Sequence, residues 1–173
     1  QAIIAIVVSW LLIIAYISRR FEYRSAVSGL PALIHDVIVV VGIFSLLRKE
    51  IDASFVAALL TIVGYSINDT IVIFDRIREN MKSFRKGDSI QELVNRSIWQ
   101  TMTRSIYTVL TVLFCTIALY VFGGDTTKNF ALALIIGIAS GAYSSIFNAS
   151  PIWVTWKEID ERRRVQVKTK GAK

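Results

Sequence analysis

EIDASFVAALLTIVGYSINDTIVIFDRIREN, residues 50–80, decides the fold. From Ala53 to Phe74 the stretch is apolar apart from a few small hydroxyls, Asn68 and one charge, Asp69. It then turns abruptly charged at Asp75-Arg76-Ile77-Arg78-Glu79. A helical run of about 20 apolar residues crosses a hydrocarbon core, so 53–74 reads as a membrane span and Asp75 as its exit. A carboxylate held inside that layer costs roughly 2.5–3.5 kcal/mol on insertion scales. Asp69 therefore needs a partner or a task. It reads first as part of an ion or proton pathway, and otherwise as a structural hydrogen bond to a neighbouring span with Asn68 in support.

The rest of the chain follows the same pattern. Of 173 residues, 54% are hydrophobic, more than a soluble domain of this size buries. The excess gathers in five segments, residues 2–17, 27–47, 53–74, 105–122 and 129–156, which predicts an all-α polytopic membrane helical bundle. The first segment is short and starts almost at residue 1, with no basic stretch before it and no cleavage pattern after it. That start predicts that something precedes it in the whole protein. The lone Cys115 excludes an internal disulfide and a cysteine metal site. No His, Cys or carboxylate cluster has metal-ligand spacing, so no metal and no cofactor is expected.

The formal charge of +7 is confined to a few connections and the tail. Its basic residues lack interleaved aromatics and flank spans, so they describe orientation rather than nucleic-acid binding. Arg19, Arg20 and Arg24 follow the first span, basic residues outnumber acids across 75–104, and the tail 157–173 is basic. The connections 48–52 and 123–128 are short and balanced. The positive-inside rule then places residue 1 outside and the C-terminus in the cytoplasm. Within 75–104, Ser89-Ile-Gln-Glu92 forms a capping box. Ile90, Leu93, Val94 and Ile98 recur at helical spacing, which predicts an amphipathic connector at the interface, leading into the fourth span.

Depth arithmetic suggests a polar layer. Asp36 lies about 13 Å from its cytoplasmic exit, Asp69 roughly 9 Å, and Thr108 about 6 Å inside Arg104. Thr101, Arg104, Thr108, Thr111 and Cys115 fall on one face of the fourth span, and a polar stripe there faces protein or water. Arg104 fits either that layer or a snorkelling anchor at the headgroups. His35, the only histidine, reads as a packing residue. In the last span Ala133, Gly137, Gly141, Ser145 and Ala149 place one small residue every four, with Gly137 and Gly141 as a GxxxG packing face. Trp153, Trp156 and Lys157 read as an interface belt, and Pro151 as a bend.

PALIHDVIVVVGIFSLL (31–47), the stretch quoted above, and TMTRSIYT (101–108) resemble the SecD–SecF family of Sec translocase accessory subunits, on its SecF side. The resemblance runs from about residue 20 to Trp156. It implies the resistance–nodulation–division fold, in which this chain supplies five helices of a six-helix half. It further implies a first span and a periplasmic domain upstream of residue 1. The positions carried over are Asp69, Arg104 and Thr108 as a proton pathway, with Asp36 from the His-Asp pair, while Asn68 and Thr111 stand beside them. The implied function is proton-driven assistance to Sec-dependent export, with protons as the coupling ion. Implied partners are a SecD-like subunit, the protein-conducting channel, and an unfolded preprotein held by the upstream domain. Half of a small-molecule or lipid exporter of the same superfamily is the alternative. A structural scaffold is a third reading, and an intramembrane enzyme is disfavoured because no Ser/His or paired catalytic carboxylates are suitably spaced.

Overall fold

The computed structural model describes residues 23–85 and 87–159, with a few isolated positions before them. The expected first span, 2–17, and the tail from residue 160 lie outside the described residues as continuous elements. Every described element is helical, and four helices are long and apolar enough to cross a membrane. They are α1 (Tyr23–Leu46), α2 (Ala53–Met81), α3 (Ile90–Phe122) and α4 (Asp125–Ser144).

The boundaries have local causes. Asp52 caps α2 by accepting the Phe55 amide at 2.8 Å, and Ser89 caps α3 by accepting the Glu92 amide at 3.4 Å. The loop between them turns at Gly87, whose φ of +112 suits a residue without Cβ. The connector expected over 75–104 is not a separate element. Residues 75–81 prolong α2, and 90–104 are the opening turns of α3, which runs 33 residues without a break. No Gly or Pro interrupts Ile90–Phe122, so nothing stops the helix between the capping box and the span.

The last helix departs from regularity where expected. Ser145–Ala149 form a π-turn, and the chain then continues helical through 150–159. Pro151 offers no N–H and crowds the carbonyl four residues back; widening the preceding turn relieves that conflict. Ser150 Oγ donates to the Ser145 carbonyl at 3.3 Å across this turn. Trp153 corrects the interface-belt expectation, because it is buried against Phe74, Ile77 and Val94. Lys157 covers its ring at 5.9 Å, so the indole packs inward with its cation above it.

α4 is the centre of the bundle and packs on α1, α2 and α3. One apolar cluster joins Val40, Phe44, Phe55, Ile62 and Ile138 at the end near the α1–α2 connection. A second joins Ala32, Ile73, Ile77, Val94 and Ala149 at the opposite end. Between them lies a belt of buried polar side chains that includes Ser28, Asp36, Ser66, Asp69, Thr70, Ser144 and Ser145.

Close approach in this belt depends on glycine. A Cβ on Gly137 would collide with Ile62, and one on Gly141 would stand 3.1 Å from Ser66 Cβ and 3.5 Å from Asp36 Oδ2. The GxxxG face is thus turned toward α2. Gly64, by contrast, has nothing within 4 Å of an added Cβ. Gly137→Ala should destabilise the bundle by about 1–3 kcal/mol through overpacking, whereas Gly64→Ala should leave stability unchanged or raised. Thermal unfolding of the assembled protein in mild detergent checks the pair, and equal behaviour of the two variants would contradict this packing.

Candidate functional site

Asp69 sits on the α2 face that meets α3. Its residue is 8% exposed, and its Oδ1 accepts a 2.6 Å hydrogen bond from Ser105 Oγ. Its Oδ2 is buried without a hydrogen-bond partner among the described residues. The Tyr65 hydroxyl is likewise buried near Thr108, without a partner of good geometry. Both residues line a cavity of about 180 Å³ together with Asn68, Val72, Arg104, Thr108, Thr111 and Val112. A space of this size with several polar groups on its wall has room for water.

Arg104 is exposed on the isolated chain and lines the same cavity as Asp69 without forming a direct ion pair with it. Thr108 Oγ1 donates back to the Arg104 carbonyl at 2.9 Å, and Thr111 Oγ1 to the Thr108 carbonyl at 2.9 Å. With their protons spent on backbone, both hydroxyl oxygens remain acceptors toward the cavity. The arrangement is therefore a carboxylate with one anchored and one unpartnered oxygen, beside a space lined by hydroxyls, Asn68 and the cation of Arg104. A larger cavity of about 410 Å³ adjoins it, sharing Val72 and Arg104 and reaching Asp75, Arg76, Glu79, Gln100 and Thr101. Gln100 there accepts from Arg76 at 2.7 Å and from Asn80 at 2.9 Å, which ties α3 to α2.

Asp36 forms a second, distinct cluster. It is 0% exposed. Its Oδ2 accepts from Ser66 at 2.7 Å and Ser144 at 2.8 Å, and its Oδ1 from Ser140 at 2.8 Å. His35 Nδ1 stands 3.3 Å from Oδ1. The single layer expected from depth is thus two sites on different sides of α2. Ser66 and Asp69, three residues apart, differ by about 60° around a helix of 3.6 residues per turn, enough to send one toward α1 and α4 and the other toward α3.

Asp69, Arg104, Thr108, Thr111 and Asn68 are brought together, and Asp36 is not among them. Gly137 and Gly141 supply room rather than chemistry. Ser105, Ser66, Ser140, Ser144 and Tyr65 escaped the sequence reading. The signal for two of them was present, since Ser140 and Ser144 repeat at i, i+4 just ahead of Gly141 and Ser145.

Comparison with known proteins bears on this architecture. The family described as "Protein export membrane protein SecD/SecF, C-terminal" matches residues 1–159. The Protein translocase subunit SecF of Alicyclobacillus acidocaldarius is 56% identical, over 100% of this chain and 56% of its own length. That of Acidaminococcus fermentans is 54% identical, over 91% of this chain and 54% of its own. The chain thus spans a little over half the length of these relatives. A crystal structure of SecDF from Thermus thermophilus, a translocon-associated membrane protein, superposes with a TM-score of 0.87 at 48% identity, over 91% of this chain and 22% of that one.

Water access separates the polar face of α3 from its apolar flank. With Cys115 replaced by Ser, Thr108→Cys should react with a small hydrophilic thiol reagent in native membranes, while Phe114→Cys, 67% exposed on the isolated chain, should not. Equal reactivity of the two, or the reverse order, would contradict a polar cavity at Thr108.

Proposed function

We propose, because this chain belongs to the SecD/SecF C-terminal family of protein export membrane proteins, that it couples the proton-motive force to Sec-dependent export of unfolded proteins across the bacterial cytoplasmic membrane. The observation that carries the reading is the Asp69 carboxylate. One oxygen is held by Ser105, the other is buried without a hydrogen-bond partner among the described residues, and Asp69 lines a cavity that Arg104 also lines. A charge on Asp69 is compensated by Arg104 and solvent across that cavity. Protonation removes the charge and with it the reason for that arrangement, so α2 and α3 pack differently in the two states. Each proton crossing supplies ~2.3 kcal/mol per 100 mV.

The second cavity, reaching Asp75 and Glu79 at the α2–α3 loop end, supplies a polar route between Asp69 and that side of the bundle. The positive-inside rule assigns that side to the cytoplasm. The expected partner is a SecD-like half, since SecDF of Bacillus subtilis is 47% identical over 91% of this chain while the chain covers 22% of it. We assign the contact to the face of α3 on which Ile106, Tyr107 and Phe114 are exposed among the described residues. The protein-conducting channel is the assembly we propose it serves, and no preprotein contact is assigned to its residues. No covalent chemistry is assigned. The exporter alternative is not favoured, because the relatives carry translocase names.

Inverted vesicles holding the complete translocase at equal subunit abundance test the reading. Asp69→Asn preserves shape and should assemble, yet abolish stimulation of translocation by a proton gradient. Ser105→Ala removes a hydrogen bond to a charged group, worth about 1.5–3 kcal/mol, and should lower the stimulated rate roughly tenfold or more. Ser105→Thr keeps the hydroxyl and should restore it. Undiminished stimulation in Asp69→Asn would leave Asp69 a structural acceptor and refute the proposal.

A further inference from the structure

We infer that α3 turns against α2 about a pivot at Gln100, so that the two helices part at the end away from their loop. The inference rests on the coupling proposed above and adds where α2 and α3 come apart. Hydrogen bonds between these helices are unevenly spread. Gln100 Oε1 accepts from Arg76 Nε at 2.7 Å and from Asn80 Nδ2 at 2.9 Å. Asn80 Nδ2 also donates to Ser97 Oγ at 2.8 Å. The next tie is Ser105 to Asp69. From there to Ala53 no hydrogen bond joins α2 to α3 among the described residues. Val109, Val112 and Leu113 pack there on the apolar cluster that holds Ala58, Leu59 and Ile62.

The loop end of α3 is held from a second side. Gln91 Nε2 donates to Glu158 at 2.9 Å, beyond the π-turn that follows α4, and Ile90 and Val94 are buried in one cluster with Trp153. At its far end α3 passes to α4 through Gly123 and Gly124 alone. Directional hydrogen bonds resist rotation of one helix on another, whereas apolar contact is non-directional and tolerates it. The one tie between these ends depends on charge. A hydrogen bond to a carboxylate is roughly twice as strong as one between neutral groups. Protonation of Asp69 thus weakens the last polar tie before the far end, and it spares the pivot, because no member of the Gln100 cluster bonds to Asp69. Tyr65 and Arg104 are the titratable groups that share the Asp69 cavity, and neither α1 nor α4 lines it among the described residues. Along α3, Ser105 lies about 7.5 Å from Gln100 and Phe122 about 33 Å. A tilt of about 10° moves Ser105 by ~1.3 Å and Phe122 by ~6 Å. The first displacement takes the 2.6 Å bond to Asp69 out of hydrogen-bond reach. The second opens the seam at the end that the positive-inside rule puts outside.

The test uses the full-length subunit in the complete translocase, in inverted vesicles, with Cys115 replaced by Ser. Asn80→Cys/Ser97→Cys, bridged by a short, permeant and cleavable bis-thiol reagent, should keep its stimulation of translocation by a proton gradient. Ala58 and Leu113 meet in the far apolar region, and Ala58→Cys/Leu113→Cys bridged in the same way should lose the stimulation and regain it on cleavage. A packing role alone would not separate the two bridges. Gln100→Leu needs no bridge: it removes two hydrogen bonds and should lower the stimulated rate roughly tenfold, while Gln100→Glu keeps the acceptor and should restore it. Lost stimulation with the loop-end bridge, stimulation surviving the far-end bridge, or an unaffected Gln100→Leu would each overturn the pivot. Asp69→Asn in the same vesicles keeps the two readings apart. Undiminished stimulation there refutes the Asp69 reading, whereas its loss there together with a far-end bridge that changes nothing refutes the pivot alone.

Discussion

Two carboxylates buried in an apolar four-helix bundle constrain most of what surrounds them. A charge without water or partners is too costly to keep in such a medium, so each acid draws helices together through hydroxyls. Asp36 gathers α1, α2 and α4 through Ser66, Ser140 and Ser144. Asp69 fastens α2 to α3 through Ser105. The first is saturated by its donors. The second keeps one oxygen unpartnered and lines a cavity with a cation on its wall. Saturation suits a seat that holds helices in place, and an unpartnered oxygen suits exchange.

The packing serves this division. Gly141 keeps space free above Ser66 and Asp36, and Gly137 lets α4 lie against Ile62 one turn earlier. Apolar clusters close both ends of the belt. The π-turn at Ser145–Ala149 follows directly on Ser144, so the irregular part of α4 begins where its hydrogen bonds to Asp36 end. Ser145 Oγ there lies 2.9 Å from Thr70 Oγ1, extending the polar contact along α2 beside Asp69 without joining the two carboxylates.

Much of this was legible in residue types and spacing. The helical membrane class followed from apolar length, the cap of α3 from Ser89 and Glu92, and the convergence of Asp69 with Arg104 and Thr108 from depth along each span. Rotation was harder to read than depth. Asp36 and Asp69 stand at similar heights, but only packing shows that α2 sends them to different neighbours. Ser105, four residues after Thr101 and three before Thr108, lies at the edge of the polar stripe rather than on the line through Arg104, and it is the residue that touches Asp69. His35 read as a packing residue because adjacent helix positions diverge by about 100°, and its ring nevertheless bends to within 3.3 Å of Asp36. Charge ended the apolar run at Asp75, while helix propensity carried α2 on to Met81, and the helix read from Ser89 into the fourth span is the opening of α3.

The central claim is that Asp69 carries the proton. Proton flux through vesicles holding the assembled complex, followed with a trapped pH-sensitive dye under an imposed gradient, tests it most directly. The account predicts that Asp69→Asn, present at wild-type abundance, reduces the flux to that of vesicles without the complex. Wild-type flux in Asp69→Asn would contradict it.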